Sequence, residues 1–224
     1  MTGPAVQEPR WRRLPEERPG QIIRAALEVF GERGLAAARL EDIARRAGVS
    51  KGTIYLYFSN KEELFREMIR QTVIREIERG EHELAEGPAR DQLLRYVQEY
   101  WSFLLSPVFE TIYRLVHGEL HQFPDLADFY SREVIARAMA LVAQILRRGM
   151  ERGEFRQTDP VVAARMLGSM MVSHALWCSR RTVMRHPGLA DTSDDQCIDQ
   201  VLDFYLHALL PAPDTTALPD ATGA

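Results

Sequence analysis

Apolar residues recur with a helical period along most of the chain, and no stretch alternates in the way a half-buried strand would. From about Pro19, Ile23, Ala26, Leu27 and Phe30 mark the inner face of a first helix. Gly34 closes it, with the apolar Leu35 folding back over its end. Leu40, Ile43, Ala44 and Ala47 then fall at i, i+3, i+4 and i+7, one stripe of a short second helix. Gly48 follows where a chain leaving a helix needs positive φ, Val49 can plug the corner, and the Ser50 hydroxyl can cap a third helix. In that helix Ile54 and Phe58 are the inward pair, which turns Lys51, Thr53, Tyr55 and Tyr57 outward. Asn60 caps a fourth helix with Glu63 at its third position, a variant of the capping box. Leu64, Phe65, Met68 and Ile69 line its inner side, and it is expected to run to about Arg79.

Beyond Gly87-Pro88 the same reading predicts five more helices. Leu93, Leu94, Val97, Tyr100, Trp101, Leu104 and Leu105 are expected to face inward on the first, and Ser106-Pro107 reads as the cap and opening residue of the next. Phe123-Pro124-Asp125 interrupts before a long helix ending near Arg152, with Gly153 as its cap and Phe155 beyond. Asp159-Pro160 starts another by the same logic, reaching about Arg185. The last begins near Ser193, with Gln196 three residues on, and carries Ile198, Val201, Leu202, Tyr205, Leu206 and Leu209 as one stripe. Residues 1–18 are expected to form a flexible arm and the Pro- and Ala-rich residues 211–224 a disordered tail. The fold class is therefore all-α, with residues 19–79 and 80–210 as the expected domains.

Charge sharpens the picture. The net charge is −4, but Arg10 to Gly80 carries 15 Lys and Arg against 11 Asp and Glu, while the remainder carries 13 against 21. A basic N-terminal part joined to an acidic body suits a protein that meets phosphates with one end. The second and third helices and the turn between them read as a helix-turn-helix, whose outer face offers donors, rings and positive charge to a DNA major groove. Arg10, Arg12 and Arg13 are placed to trail along a DNA backbone, although a basic arm and a merely solvated tail look alike in sequence.

Residues 19–79 resemble the DNA-binding domain of the TetR family of bacterial transcriptional regulators. The match rests on Ile43-Ala44, Ala47-Gly48-Val49-Ser50, Gly52-Thr53-Ile54-Tyr55, Tyr57-Phe58 and Lys61-Glu62-Glu63-Leu64. The resemblance implies a cytoplasmic, all-helical homodimer: an N-terminal three-helix helix-turn-helix domain, with its motif at 39–58, and a larger C-terminal ligand-binding and dimerisation domain. It implies a ligand-responsive regulator, most simply a repressor released from a palindromic operator by a small-molecule effector. Carried over by position, Lys51, Gly52, Thr53, Tyr55, Leu56, Tyr57 and Lys61 are the expected DNA contacts. Ala38 and Arg39 stand where the family commonly has threonines. A hydroxyl cap is thus lost, Asp42 is expected to accept from backbone N–H groups instead, and Arg39 becomes a candidate phosphate contact.

The resemblance also implies an effector pocket among the central helices. Tyr100, Phe103, Tyr113, His117, Phe129, Met170, His174 and Trp177 are its candidate wall, each equally readable as ordinary core. The helix from 160 to 178 is apolar over more than half its circumference and carries Ala164, Gly168 and Ala175, small enough for close helix approach. With Ile198, Val201, Leu202, Tyr205 and Leu209 these are the candidate dimer interface, while the pattern alone also allows both helices to pack inside one subunit.

Other chemistry is thinly represented. No phosphate-binding glycine loop, nucleophile elbow or dinucleotide fingerprint is present, so no enzyme activity and no cofactor are expected. His117 and His121 stand at i, i+4, a chelating spacing on a helix, but nothing completes a ligand set and no metal is expected. Cys178 and Cys197 are too few and too far apart in sequence for a disulfide scaffold or a zinc site, and read as buried or semi-exposed free thiols. No apolar run reads as a membrane span, so no membrane partner is expected. Two rival functions keep the same helices: an activator or dual regulator, and a helical protein–protein adaptor that no longer binds DNA.

Overall fold

The computed structural model describes residues 18–82, 87–180 and 192–210. The expected arm, with Arg10, Arg12 and Arg13, and the expected tail lie outside them. Among the described residues every regular element is helical: α1 (Arg18–Ala37), α2 (Leu40–Ala47), α3 (Lys51–Tyr57), α4 (Lys61–Ile69), α5 (Arg75–His82), α6 (Ala89–Leu104), α7 (Pro107–Gly118), α8 (Pro124–Tyr130), α9 (Arg137–Glu151), α10 (Pro160–Arg180) and α11 (Asp194–Leu209). Two stretches wind as π-helix: Arg70–Ile74 joins α4 to α5, and Ser131–Ala136 joins α8 to α9.

The chain divides into two compact units, with Gln71 ending the first and Thr111–Leu126 returning to it. The second takes in Thr72–Glu110 and the chain from Ala127 onward. The boundary falls inside the first π stretch, short of the expected 79.

In the first unit α1 packs on α2 and α4, and α2 on α3. Its core holds Ile22, Phe30, Leu35, Ile43, Ile54, Leu64, Phe65 and Met68, all fully buried. Phe30 and Phe65 meet edge to face at 6.4 Å. Each such large side chain contributes roughly 1.5–3 kcal/mol by leaving water. Gly34 lies at φ 79 and ψ 166, a region open in practice to glycine alone. Its bare Cα lets the Glu119 carboxylate come close and accept the Ala36 N–H at 2.8 Å. Arg114 donates to the Gly31 carbonyl nearby, so the returning segment grips the last turns of α1 through charged side chains.

In the second unit α9 packs on α10, α6 and α5, and α11 packs on α10. The expected caps form: Ser106 accepts from Phe109 N–H, Asp159 from Val161 and Val162 N–H, and Ser193 with Gln196 closes a full capping box. Gly153 takes φ 74 and Phe155 is buried beyond it.

The apolar faces of α10 and α11 are placed as follows. Ala164, Ala175, Ile198, Val201, Leu202, Tyr205 and Leu209 are buried within a single subunit, and the Tyr205 hydroxyl donates to the Ala163 carbonyl at 2.7 Å. Gly168 is half-buried, with open space where a Cβ would stand. Within the chain by itself α10 packs on α9, α11 and α6, and α11 also on α6; periodicity marks an apolar face without naming what covers it. On α10 and α11 the large apolar side chains left exposed are Val161, Val162, Met166 and Phe204. Pro160–Ser179 is long and apolar enough, by length and composition alone, to cross a membrane, with mean hydropathy 1.3, as the core helix of a helical bundle also is. Its apolar residues serve two faces, one against α11 and α9 and one uncovered.

Candidate nucleic-acid interface and apolar cavity

The turn between α2 and α3 is built by local chemistry. Gly48 sits at φ 66 and ψ 31 and donates to the Arg45 carbonyl, while Val49 donates to that of Ala44, the paired bonds of a Schellman motif. Ser50 Oγ accepts the Thr53 N–H at 3.0 Å and lies 2.8 Å from Thr53 Oγ1. A helix of only seven residues depends on such a cap, because it has few internal bonds to hold it. Ile54 and Phe58 bury the inner face. Arg39 is exposed and offers α2 no side-chain cap. Asp42 does not fill that role either: it pairs with Arg33 at 2.8 Å and Arg45 at 3.2 Å, cations that outcompete an amide for the carboxylate.

The outer face of α3 carries Lys51, Gly52, Thr53, Tyr55, Leu56 and Tyr57, with Thr53 and Tyr57 half-buried and the others exposed. Leu56 is 84% exposed, where a leucine gains nothing from the fold. Glu41 of α2, which the sequence did not single out, organises this face. Its carboxylate takes Lys51 Nζ at 2.8 Å and accepts the Tyr55 hydroxyl at 3.2 Å. The Lys51 bond, reinforced by its own backbone N–H, holds the Glu41 carboxyl down at about 2 and raises the Lys51 ammonium in turn. Lys51 also lies 5.8 Å from the centre of the Tyr55 ring.

Lys61, expected among the DNA contacts, is bonded within the first unit. Its ammonium donates to the Ala36 carbonyl at 2.7 Å, lies 3.5 Å from that of Ala38, and stands over the Phe123 ring. Asn60 accepts from Glu63 N–H as expected, while Glu63 reaches back to Ser59 N–H and Oγ.

Among the candidate pocket residues, Tyr100 and Phe103 line a cavity of about 110 Å³ in the second unit. It is walled by α5, α6, the end of α8, α9 and the two π stretches, through Val73, Ile77, Tyr96, Tyr130, Val134 and Leu141, with Phe109 at one side. Tyr96, Tyr100 and Tyr130 are only half-buried because each ring borders that space. Burial pushes all three phenols up, Tyr130 to about 12, so they remain neutral donors in water near neutrality. Arg79 stands at the wall between Glu76 at 2.6 Å and Glu99 at 3.7 Å.

Tyr113, His117, Phe129, Met170, His174 and Trp177 are not among the residues lining this cavity. Tyr113 and His117 instead stack on each other at 3.9 Å in the first unit, and His174 bonds the Met170 carbonyl of its own helix. The His117–His121 pair also dissolves: α7 ends at Gly118 and His121 lies in a 3-10 turn, which breaks the i, i+4 register. Among the described residues no three metal-ligating side chains gather.

Residues 22–68 match the bacterial regulatory proteins of the tetR family, and residues 91–209 match the C-terminal domain of AefR-like transcriptional repressors. The fatty acid metabolism regulator protein of Bacillus subtilis is 31% identical over 162 residues, 69% of this chain and 80% of its own length. The transcriptional activator FasR of Mycolicibacterium smegmatis is 48% identical over 71 residues, 31% of this chain and 32% of its own. In fold, the regulator FadR of Bacillus subtilis in complex with stearoyl-CoA superposes with a TM-score of 0.69 at 23% identity, over 84% of this chain and 98% of that one. The chain belongs to the TetR family, and is a ligand-responsive, DNA-binding transcriptional regulator.

Proposed function

We propose that the protein is a homodimeric repressor that reads a palindromic operator with α3 and leaves it when a long-chain acyl-CoA enters the second unit. The observation that carries the DNA reading is the outer face of α3, where an exposed Leu56 stands beside Lys51, Tyr55 and Tyr57 on a helix capped at its start. Such a face has no use inside the subunit and the right chemistry for a major groove, with an apolar contact for a thymine methyl. Pairing of two copies would cover Val161, Val162, Met166 and Phe204, the last 68% exposed, and would space two reading helices about one turn of DNA apart.

The effector reading rests on the apolar cavity together with the B. subtilis relatives. At about 110 Å³ the cavity is smaller than the roughly 150 Å³ that accepts a benzene-sized ligand. A long acyl chain therefore requires its walls to part. That requirement supplies the mechanism, because a ligand that binds only the widened state shifts the population toward it. Both π stretches contribute a wall residue, Val73 and Val134, and their wider winding gives the backbone a place to yield. The neutral tyrosine hydroxyls offer donors to a thioester carbonyl, and Arg79 offers charge to a phosphate.

The test is anisotropy of a labelled duplex from the DNA flanking the gene, titrated with protein and then with stearoyl-CoA. Release by stearoyl-CoA but not by coenzyme A alone supports the reading; tight binding that no acyl-CoA disturbs removes the effector assignment. FasR is a named activator similar to this chain over 71 residues, so an activator remains the second reading, decided by whether the bound site overlaps the promoter or lies upstream of it.

A further inference from the structure

Cys178 and Cys197 stand 19 positions apart in sequence, yet their sulfurs lie 2.8 Å apart. One sits near the end of α10 and the other in the first turns of α11, both buried. Neither lines the apolar cavity nor belongs to the face of α3. Two buried thiols that served only to fill space would have no reason to face each other, whereas a disulfide needs these sulfurs to close only from 2.8 Å to about 2.05 Å.

We propose that Cys178 and Cys197 are a modification site: a dithiol that a hydroperoxide converts into an intramolecular disulfide joining α10 to α11. One sulfur, as thiolate, attacks an oxygen of hydrogen peroxide, breaking the O–O bond and releasing the other oxygen as water after protonation. The resulting sulfenic acid is attacked by the second sulfur, which forms the S–S bond and expels the remaining oxygen as water. Two thiols lose two electrons and two protons; one peroxide becomes two waters. Burial selects the reagent and the product. A water-sized peroxide enters through local opening, while a second protein chain cannot reach either sulfur. The new bond closes the connection from α10 to α11 and takes conformational freedom from the unfolded chain, so the oxidised form is the more stable one.

The experiment treats the full chain with hydrogen peroxide, then denatures it in an alkylating agent and measures intact mass, linked peptides and melting temperature. The expected product is two hydrogen atoms lighter, takes no alkyl group and yields a Cys178–Cys197 linked peptide. It melts higher by roughly 5 °C or more, and dithiothreitol reverses every change. Cys178→Ala and Cys197→Ala, made singly, should show no such rise. Thiols that stay alkylatable, oxygen adducts without a cross-link, or covalent dimers in place of the internal link would overturn the proposal. The peptide map of the wild-type chain decides this even if either variant fails to fold.

Discussion

Replacing Leu56 by alanine separates DNA reading from folding. The side chain is 84% exposed in the free subunit, so the truncation removes almost no contact that the fold uses. Surface changes of this kind shift stability by less than about 0.5 kcal/mol, and the better helix propensity of alanine works in the variant's favour. On a thymine methyl the same leucine would lose its water. Deleting three of its carbons at about 0.8 kcal/mol each forfeits about 2.4 kcal/mol of specific binding at each half-site, an affinity loss of roughly 50-fold per half-site. No charge changes, so the salt slope, which counts phosphate contacts, should stay as it was. The assay is anisotropy on operator and on scrambled duplex at several salt concentrations, alongside thermal melting. Replacing the contacted thymine by uracil, which lacks the methyl, should cost the wild type affinity and Leu56→Ala almost nothing. Equal operator affinity in wild type and variant, or an equal loss on scrambled DNA, would refute the reasoning.

Glu41→Gln frees Lys51 from its partner, and the variant should bind all DNA sequences more tightly, with a salt slope steeper by up to about one unit. The same pair sets an acid limit. Because the Glu41 carboxyl is depressed to about 2, its contribution is complete above the ordinary carboxylate range and fades as pH falls toward that value, a fade that Glu41→Gln should remove from the pH dependence of melting. Gly34→Ala puts a Cβ on a backbone that only glycine adopts and drives the Glu119 carboxylate off Ala36 N–H, a combined cost of about 3 kcal/mol and a melting point lower by roughly 6–12 °C. Lys61→Ala should likewise lower the melting temperature, since it removes the donor to Ala36 and Ala38; a variant that melts like wild type and loses only salt-dependent binding would return Lys61 to the phosphate role. Ala138→Met projects into the apolar cavity and should blunt the acyl-CoA response at least tenfold while operator affinity is kept.

What could be read in the sequence was what local chemistry dictates. Gly48, Ser50, Asn60, Asp159 and the Ser193–Gln196 box each act within a few residues of themselves, so their roles are written in the order of the letters. The two π stretches were hidden, because one extra residue per turn hardly disturbs an apolar period. Features that need two distant elements were invisible. Glu41 gains its role only when α2 brings it to Lys51 and Tyr55, and Lys61 is drawn to carbonyls 25 and 23 positions away. The cavity assembled Tyr96, Phe109 and Tyr130 with Tyr100 and Phe103, while aromatic residues equally prominent in sequence, such as Tyr113 and Trp177, went elsewhere. On α10 and α11 the strongest apolar stripe proved internal, and Val161, Val162, Met166 and Phe204 stayed exposed. The thiols that looked remote in sequence turned out to be neighbours.

One titration tests the central claim most directly: labelled DNA from the region flanking the gene, at physiological salt, against the intact protein with and without stearoyl-CoA. The account predicts saturable binding to a palindromic site by two subunits, at least a thousandfold tighter than to scrambled DNA, and release as stearoyl-CoA is added. Equal affinity for operator and scrambled duplex, with no response to the ligand, would contradict it.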